Sequence, residues 1–128
     1  MHLDEFRDHC LAKPGTSEGL PFGPDALVFK VGDPEVKGGH KMFALLSLER
    51  TPPTANLKCE PERAVELRER YADVAPGYHM NKRHWNTVGL RGDVPADVLR
   101  EMIDQSYALV MAGLPRPLRD ALVLGDDA

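Results

Sequence analysis

Lys82, Arg83 and Arg91 stand in a window that contains no carboxylate between Asp73 and Asp93, in a chain whose formal net charge is −4. The window contributes +3, so the rest of the chain carries −7 and charge is sorted along the sequence. Within it, "GYHMNKRHWNTVGLR" (77–91) interleaves the cations with His79, His84, Tyr78, Trp85, Asn81 and Asn86. Polyanion binding needs this mixture: cations aimed at phosphates, with stacking and hydrogen-bonding groups among them. The expected nucleic-acid-binding set is Lys58, Asn81, Lys82, Arg83, His84, Asn86 and Arg91. Lys82 and Arg83 would hold phosphates, Asn81, His84 and Asn86 would add polar contacts, and Lys58 would extend the patch from a neighbouring strand. About 3 to 4 phosphate contacts imply weak, largely sequence-independent binding with a salt slope of about −3. Trp85, the only tryptophan of the chain, is expected to anchor packing, as a large ring does in a small domain.

Other chemistries find less support. His79 and His84 are five residues apart, which is not a helical i, i+4 pair, and strand alternation would put them on opposite faces. No cysteine pair or carboxylate accompanies them, so no metal site is expected. Asp4, Glu5 and Asp8 make an acidic helix edge, but acids at a helix start answer the helix dipole. Cys59 reads as inward-facing, where burial raises a thiol's pKa. Ser47 and Ser106 read as packed. Tyr78 and His79 could form an acid–base pair, yet catalysis needs a second positioned group, and no phosphate loop, dinucleotide fingerprint or nucleophile elbow is present. The expectation is a non-catalytic protein without a cofactor.

The elements that must position these residues follow from periodicity. Leu3, Phe6, Cys10 and Leu11 share one helical face, stopped at Pro14-Gly15. "ALVFKV" (26–31) and "KMFALLSLE" (41–49) are strands joined by the long "GDPEVKGGH" connection. "TANLKCE" (54–60) alternates, with Ala55, Leu57 and Cys59 on one face and Asn56, Lys58 and Glu60 on the other. Pro61 opens a short helix with Ala64, Leu67 and Tyr71 on one side. "WNTVGLR" (85–91) reads as a strand. Pro95 starts the longest helix, with Val98, Leu99, Met102, Ile103, Ser106 and Val110 on its buried stripe. After Gly113 and Pro115 one further helical turn is expected, then fraying, with Leu118, Leu122 and Val123 either capping the core or docking elsewhere. Short connections exclude repeated βαβ crossovers. The fold class expected is α+β, a two-layer sandwich with an antiparallel sheet of about five strands and helices packed on it.

A chain of 128 residues suits one domain, here 1–128, with 117–128 a C-terminal extension. Two cysteines make no disulfide framework, and reduced thiols suit a cytoplasmic protein. Acids interrupt the N-terminal segment where a secretory peptide needs an apolar run, and no stretch reaches the length of a membrane span. DNA is the expected partner, with a protein partner or homodimer as the alternative.

"LPFGPDALVFKV", "KMFALLSLE", "NLKCEPERAVELRERY", "PGYHMNKRHWNTV" and "IDQSYALVMAGLP" together resemble the MmcQ/YjbR family of small bacterial proteins, over about residues 3 to 116. The resemblance implies a two-layer α+β fold, compared with frataxin-like and secretion-chaperone-like sandwiches. It also implies a DNA-binding module with a "double-wing" motif and no established reaction. The chain departs from the family pattern in two places. Its 32–40 hairpin is longer than the usual tight connection and carries Asp33 and Glu35, which oppose phosphate contact by the tip. Gly89 stands where an aromatic residue is common.

Overall fold

The computed structural model describes residues 1–77 and 80–126, with side chains as far as residue 122. The chain runs α1 (Leu3–Leu11), β1 (Thr16–Gly19), β2 (Ala26–Gly32), β3 (His40–Ser47), β4 (Thr54–Lys58), α2 (Pro61–Arg70), β5 (Val74–Pro76), β6 (Trp85–Gly89), α3 (Ala96–Ala112) and α4 (Arg116–Asp126). Six strands form one sheet in the order β1-β2-β3-β4-β6-β5, every neighbouring pair antiparallel. The fold is the expected α+β arrangement. The additional strands are short edge pieces, four-residue β1 and three-residue β5, too brief to leave a periodic signal.

Alternation decides the layers. In β4 and β6 the burial pattern is the same, with every second residue buried. Ala55, Leu57 and Val88 therefore face the helices, and Asn56, Lys58, Trp85 and Thr87 face away. The helix-facing core gathers Phe6 of α1, Phe29 of β2, Phe43 of β3 and Ile103 of α3, all fully buried. An irregularity between Phe29 and Lys30 shifts the β2–β3 register, which lets Phe43 and Ala44 both turn inward. Phe43 meets Tyr107 edge-on at 5.3 Å, and the Tyr107 hydroxyl donates to the Pro14 carbonyl at 2.5 Å, tying α3 to the end of α1.

The C-terminal segment differs from the expected single frayed turn. It is an eleven-residue helix, α4, whose Leu118 and Leu122 pack on the core; Val123 lies outside the described side chains. Two glycines make room for them. A Cβ on Gly39 would stand 2.9 Å from a Leu118 methyl, and one on Gly15, which has φ +70°, would collide with Leu122. Truncation after Pro115 is therefore expected to destabilise the fold by about 2 kcal/mol, the contribution of two half-buried leucines, read as a lower denaturant midpoint.

Candidate functional site

Lys58 closes β4 and lies opposite Trp85, the first residue of β6. Both point to the helix-free face, so they are cross-strand neighbours there. The backbone beneath them is tightly held. Lys58 N–H donates to Ser106 Oγ at 2.8 Å, Ser106 Oγ donates to the Phe43 carbonyl at 2.5 Å, and Cys59 N–H donates to the His84 carbonyl at 2.7 Å. Trp85 is half-buried and outside the core cluster, contrary to the expected packing anchor, because parity puts it on the open face.

The segment entering β6 is a turn built by Asn81. Its Oδ1 accepts from Arg83 N–H at 3.0 Å, and its carbonyl accepts from His84 and Trp85 N–H at 3.2 and 2.9 Å. Asn81 is thus a turn former before it is a ligand contact. Lys82 and Arg83 are exposed on this turn and His84 is half-buried. Lys82 Nζ donates to the Gly77 carbonyl at 3.3 Å, and Gly77 must be glycine, since a Cβ would lie 2.7 Å from that of Trp85.

One residue that sequence reasoning missed organises the turn. Arg68 reaches from α2, donating through Nε to Asn86 Oδ1 at 2.6 Å and through its terminal nitrogen to the carbonyls of Lys82 and, at 3.4 Å, Trp85. Its only sequence signal is the i, i+4 spacing from inward-facing Ala64, which puts both on the sheet side of α2. Asn86 is fully buried and spends its amide on Arg68 and on the Ala64 carbonyl, 3.3 Å from Nδ2. Asn86 is therefore a structural bridge and not a surface contact, a correction forced by its sharing a face with Val88.

Two further expectations change. Arg91 is exposed at the opposite end of β6, where its guanidinium donates to His2 Nδ1 at 2.7 Å. A five-residue strand separates it from the Lys82–Arg83 turn, about 16 Å, so it leaves the cluster. Asp73 and Asp93, the acids that bound the window in sequence, meet at that end. The Asp93 carboxylate accepts from Ala72 and Asp73 N–H at 2.8 and 3.0 Å, and Asp73 Oδ2 accepts from Asp93 N–H at 2.8 Å. The backbone N–H groups of Asp73 and Ala72 hold the Asp93 carboxyl below the usual carboxylate range. Arg83 leans over α2 into a shallow groove shared with Glu62, Val65, Glu66 and Arg68. The cluster is thus less free of acids in space than along the chain. Among the described residues, however, no carboxylate forms an ion pair with Lys58, Lys82, Arg83 or Arg91. Asp33 and Glu35 sit on the hairpin tip at the same end of the sheet as Lys58, and Asp33 Oδ1 is engaged by Glu35 N–H at 2.9 Å.

Beside the turn, the helix-free face forms an open groove of about 690 Å³, lined by Phe22, Met42, Leu45, Ser47, Asn56 and Met80 among others. Ser47 thus lies half-buried on this face, not packed as expected.

Of the nucleophile candidates, both cysteines and Ser106 are buried. Burial pushes the Cys10 thiol up to about 12 and also raises that of Cys59. Neither thiol is expected to react with a disulfide reagent at pH 8 in the native protein, and both should titrate once it is unfolded. Ser106 is fully buried and already donates and accepts. Tyr78 and His79 lie outside the described residues. No group of three or more His, Cys, Asp or Glu side chains gathers among the described residues. Glu5 of the acidic α1 edge accepts from His2 N–H at 3.3 Å and faces Arg100 at 3.9 Å. No helix among the described residues is long and apolar enough to cross a membrane.

Comparison with known proteins places this geometry. The uncharacterized protein YjbR of Escherichia coli K12 is 34% identical over 123 residues, 96% of this chain and 98% of the relative. The uncharacterized protein YbdF of E. coli O157:H7 is 38% identical over 96 residues, covering 75% of this chain and 73% of the relative. The crystal structure of DR2400 from Deinococcus radiodurans superposes with a TM-score of 0.86 at 41% identity, over 94% of this chain and 86% of the other. A Pseudomonas syringae protein superposes with a TM-score of 0.71 at 31% identity, over 86% of this chain and 99% of the other. The YjbR family model matches residues 11–109, a span that contains the whole sheet, α2 and most of α3. With that match and these relatives, the chain belongs to the YjbR family.

Proposed function

We propose that the protein is a non-catalytic nucleic-acid-binding module that works through the 80–85 turn and Lys58. The observation that carries this reading is the in-register pair of Lys58 and Trp85 on the open face, next to the exposed Lys82–Arg83 turn. A cation beside a half-exposed indole supplies both a phosphate contact and a stacking surface. With Arg91 removed from the cluster, two or three phosphate contacts remain, so affinity is modest and strongly dependent on salt. The buried thiols and the doubly engaged Ser106 support a binding rather than a catalytic role. Two unpaired buried cysteines fit a reducing compartment such as the cytoplasm.

The test is a salt titration of oligonucleotide binding by the purified chain. A slope of about −2 in log affinity against log salt is expected for three contacts on a single strand. Absence of binding at low salt overturns the reading.

A second reading, homodimerisation, draws on β1. It is an edge strand, and the segment that follows exposes Leu20 and Phe22, the latter 73% accessible. Unpaired backbone beside exposed apolar side chains is a template for strand pairing. Sedimentation equilibrium decides it: a monomer at micromolar concentration removes this alternative.

A further inference from the structure

We infer that the ligand of this turn is a single-stranded rather than a duplex nucleic acid, with an unstacked base lodged in the groove on the helix-free face of the sheet. The inference rests on the nucleic-acid reading above and narrows it to one substrate class.

Shape is the first argument. The groove is concave, about 690 Å³, and a duplex presents a convex surface that is read by a protruding helix or ribbon. A base that has left its stack can enter such a hollow. The volume lies within the range typical of small-molecule sites.

The lining has the composition a base requires. Met42, Leu45 and Met80 supply apolar lining beside the aromatic ring of Phe22, and an extruded base packs between aromatic and apolar side chains. Polar groups converge from the strands. Asn56 Oδ1 accepts from Thr87 Oγ1 at 2.5 Å, which orients the amide, and its Nδ2 has no partner among the described residues. Ser47 and Thr54 add hydroxyls, which donate or accept as the base edge demands.

Charge is arranged to match. Lys58 and Lys82 stand at the turn end of the sheet, Arg83 turns from that same end towards α2, and the floor of the groove is neutral. Glu49 stands at the other end with Arg50, so the cationic end is the one where a run of phosphates is favoured. Asn56 precedes Lys58 by two residues on the same face, about 7 Å, so a backbone held at Lys58 delivers a base to Asn56. Three cations at one end do not make the row that tracks a duplex backbone.

Trp85 reports directly, since no other tryptophan contributes fluorescence. The 128-residue chain would be titrated at low salt with single-stranded DNA, single-stranded RNA and duplex DNA of one length, and with inorganic polyphosphate. Either single strand is expected to change Trp85 emission and to bind about tenfold more tightly than duplex or polyphosphate. Asn56→Asp and Phe22→Ala should each weaken single-strand binding about tenfold. Phe22 is so exposed that its variant cannot fail through misfolding, and the melting temperature checks Asn56→Asp. Equal affinity for duplex and single strand, or indifference to both substitutions, overturns the inference and leaves the nucleic-acid reading standing. No binding of any nucleic acid overturns both.

Discussion

Replacement of Arg68 by alanine is expected to destabilise the protein by about 3 kcal/mol, which for a domain of this size lowers the melting temperature by roughly 10 °C. Two effects add. The charge-assisted bond to Asn86 Oδ1 and those to the Lys82 and Trp85 carbonyls are lost. The Asn86 oxygen, fully buried, is then left without its donor, and an unsatisfied buried acceptor carries its whole desolvation penalty. A double-mutant cycle separates the two. If Arg68→Leu and Asn86→Leu together cost less than the sum of the single changes, the pair acts as one unit. A loss below about 0.5 kcal/mol for Arg68→Ala would show that the α2 guanidinium is ornamental to the turn. Because Arg68 holds the carbonyls on both sides of Arg83 and His84, the same substitution should also raise hydrogen exchange across 81–85, while β2 and β3 stay protected.

Reversal of both turn cations, Lys82→Glu with Arg83→Glu, is expected to lower nucleic-acid affinity at low salt by about a hundredfold or more and to flatten the salt slope to below 1 in magnitude. Two of the three available phosphate contacts vanish, and two like charges oppose the third. Stability should move by less than about 0.5 kcal/mol, since both side chains are exposed and neither forms an ion pair with a described carboxylate. Arg83→Glu taken alone should be the milder change in binding, because Glu62 and Glu66 already share its groove and weaken the potential there. Unchanged binding by the double variant would move the binding surface away from this turn.

The alternation of β4 and β6 was legible in the sequence, and with it the faces of Asn56, Lys58, Ala55 and Leu57. The same parity places Asn86 with Val88 and turns Trp85 outward, so the faces of both residues are legible in the strand's period. Polarity suggested a surface for Asn86 and bulk suggested a core for Trp85, but in a half-buried strand the pleat outranks both. The edge strands β1 and β5 and the helix α4 were not legible, since three to four residues carry no period and α4 is held by Leu118 and Leu122 against glycines far away in the chain.

The sequence by itself determined the strands and helices with clear periods, the single basic turn and the burial of both cysteines, because each follows from residues within a few positions of one another. Only the tertiary structure decided which cations stay together. Docking of α2 against the sheet brings Arg68 under the turn and Glu62 and Glu66 beside Arg83. The length of β6 carries Arg91 to the far end, where Asp73 and Asp93 close on each other. Contacts between elements tens of residues apart depend on how whole faces pack, and that packing is a property of the assembled core rather than of any local stretch.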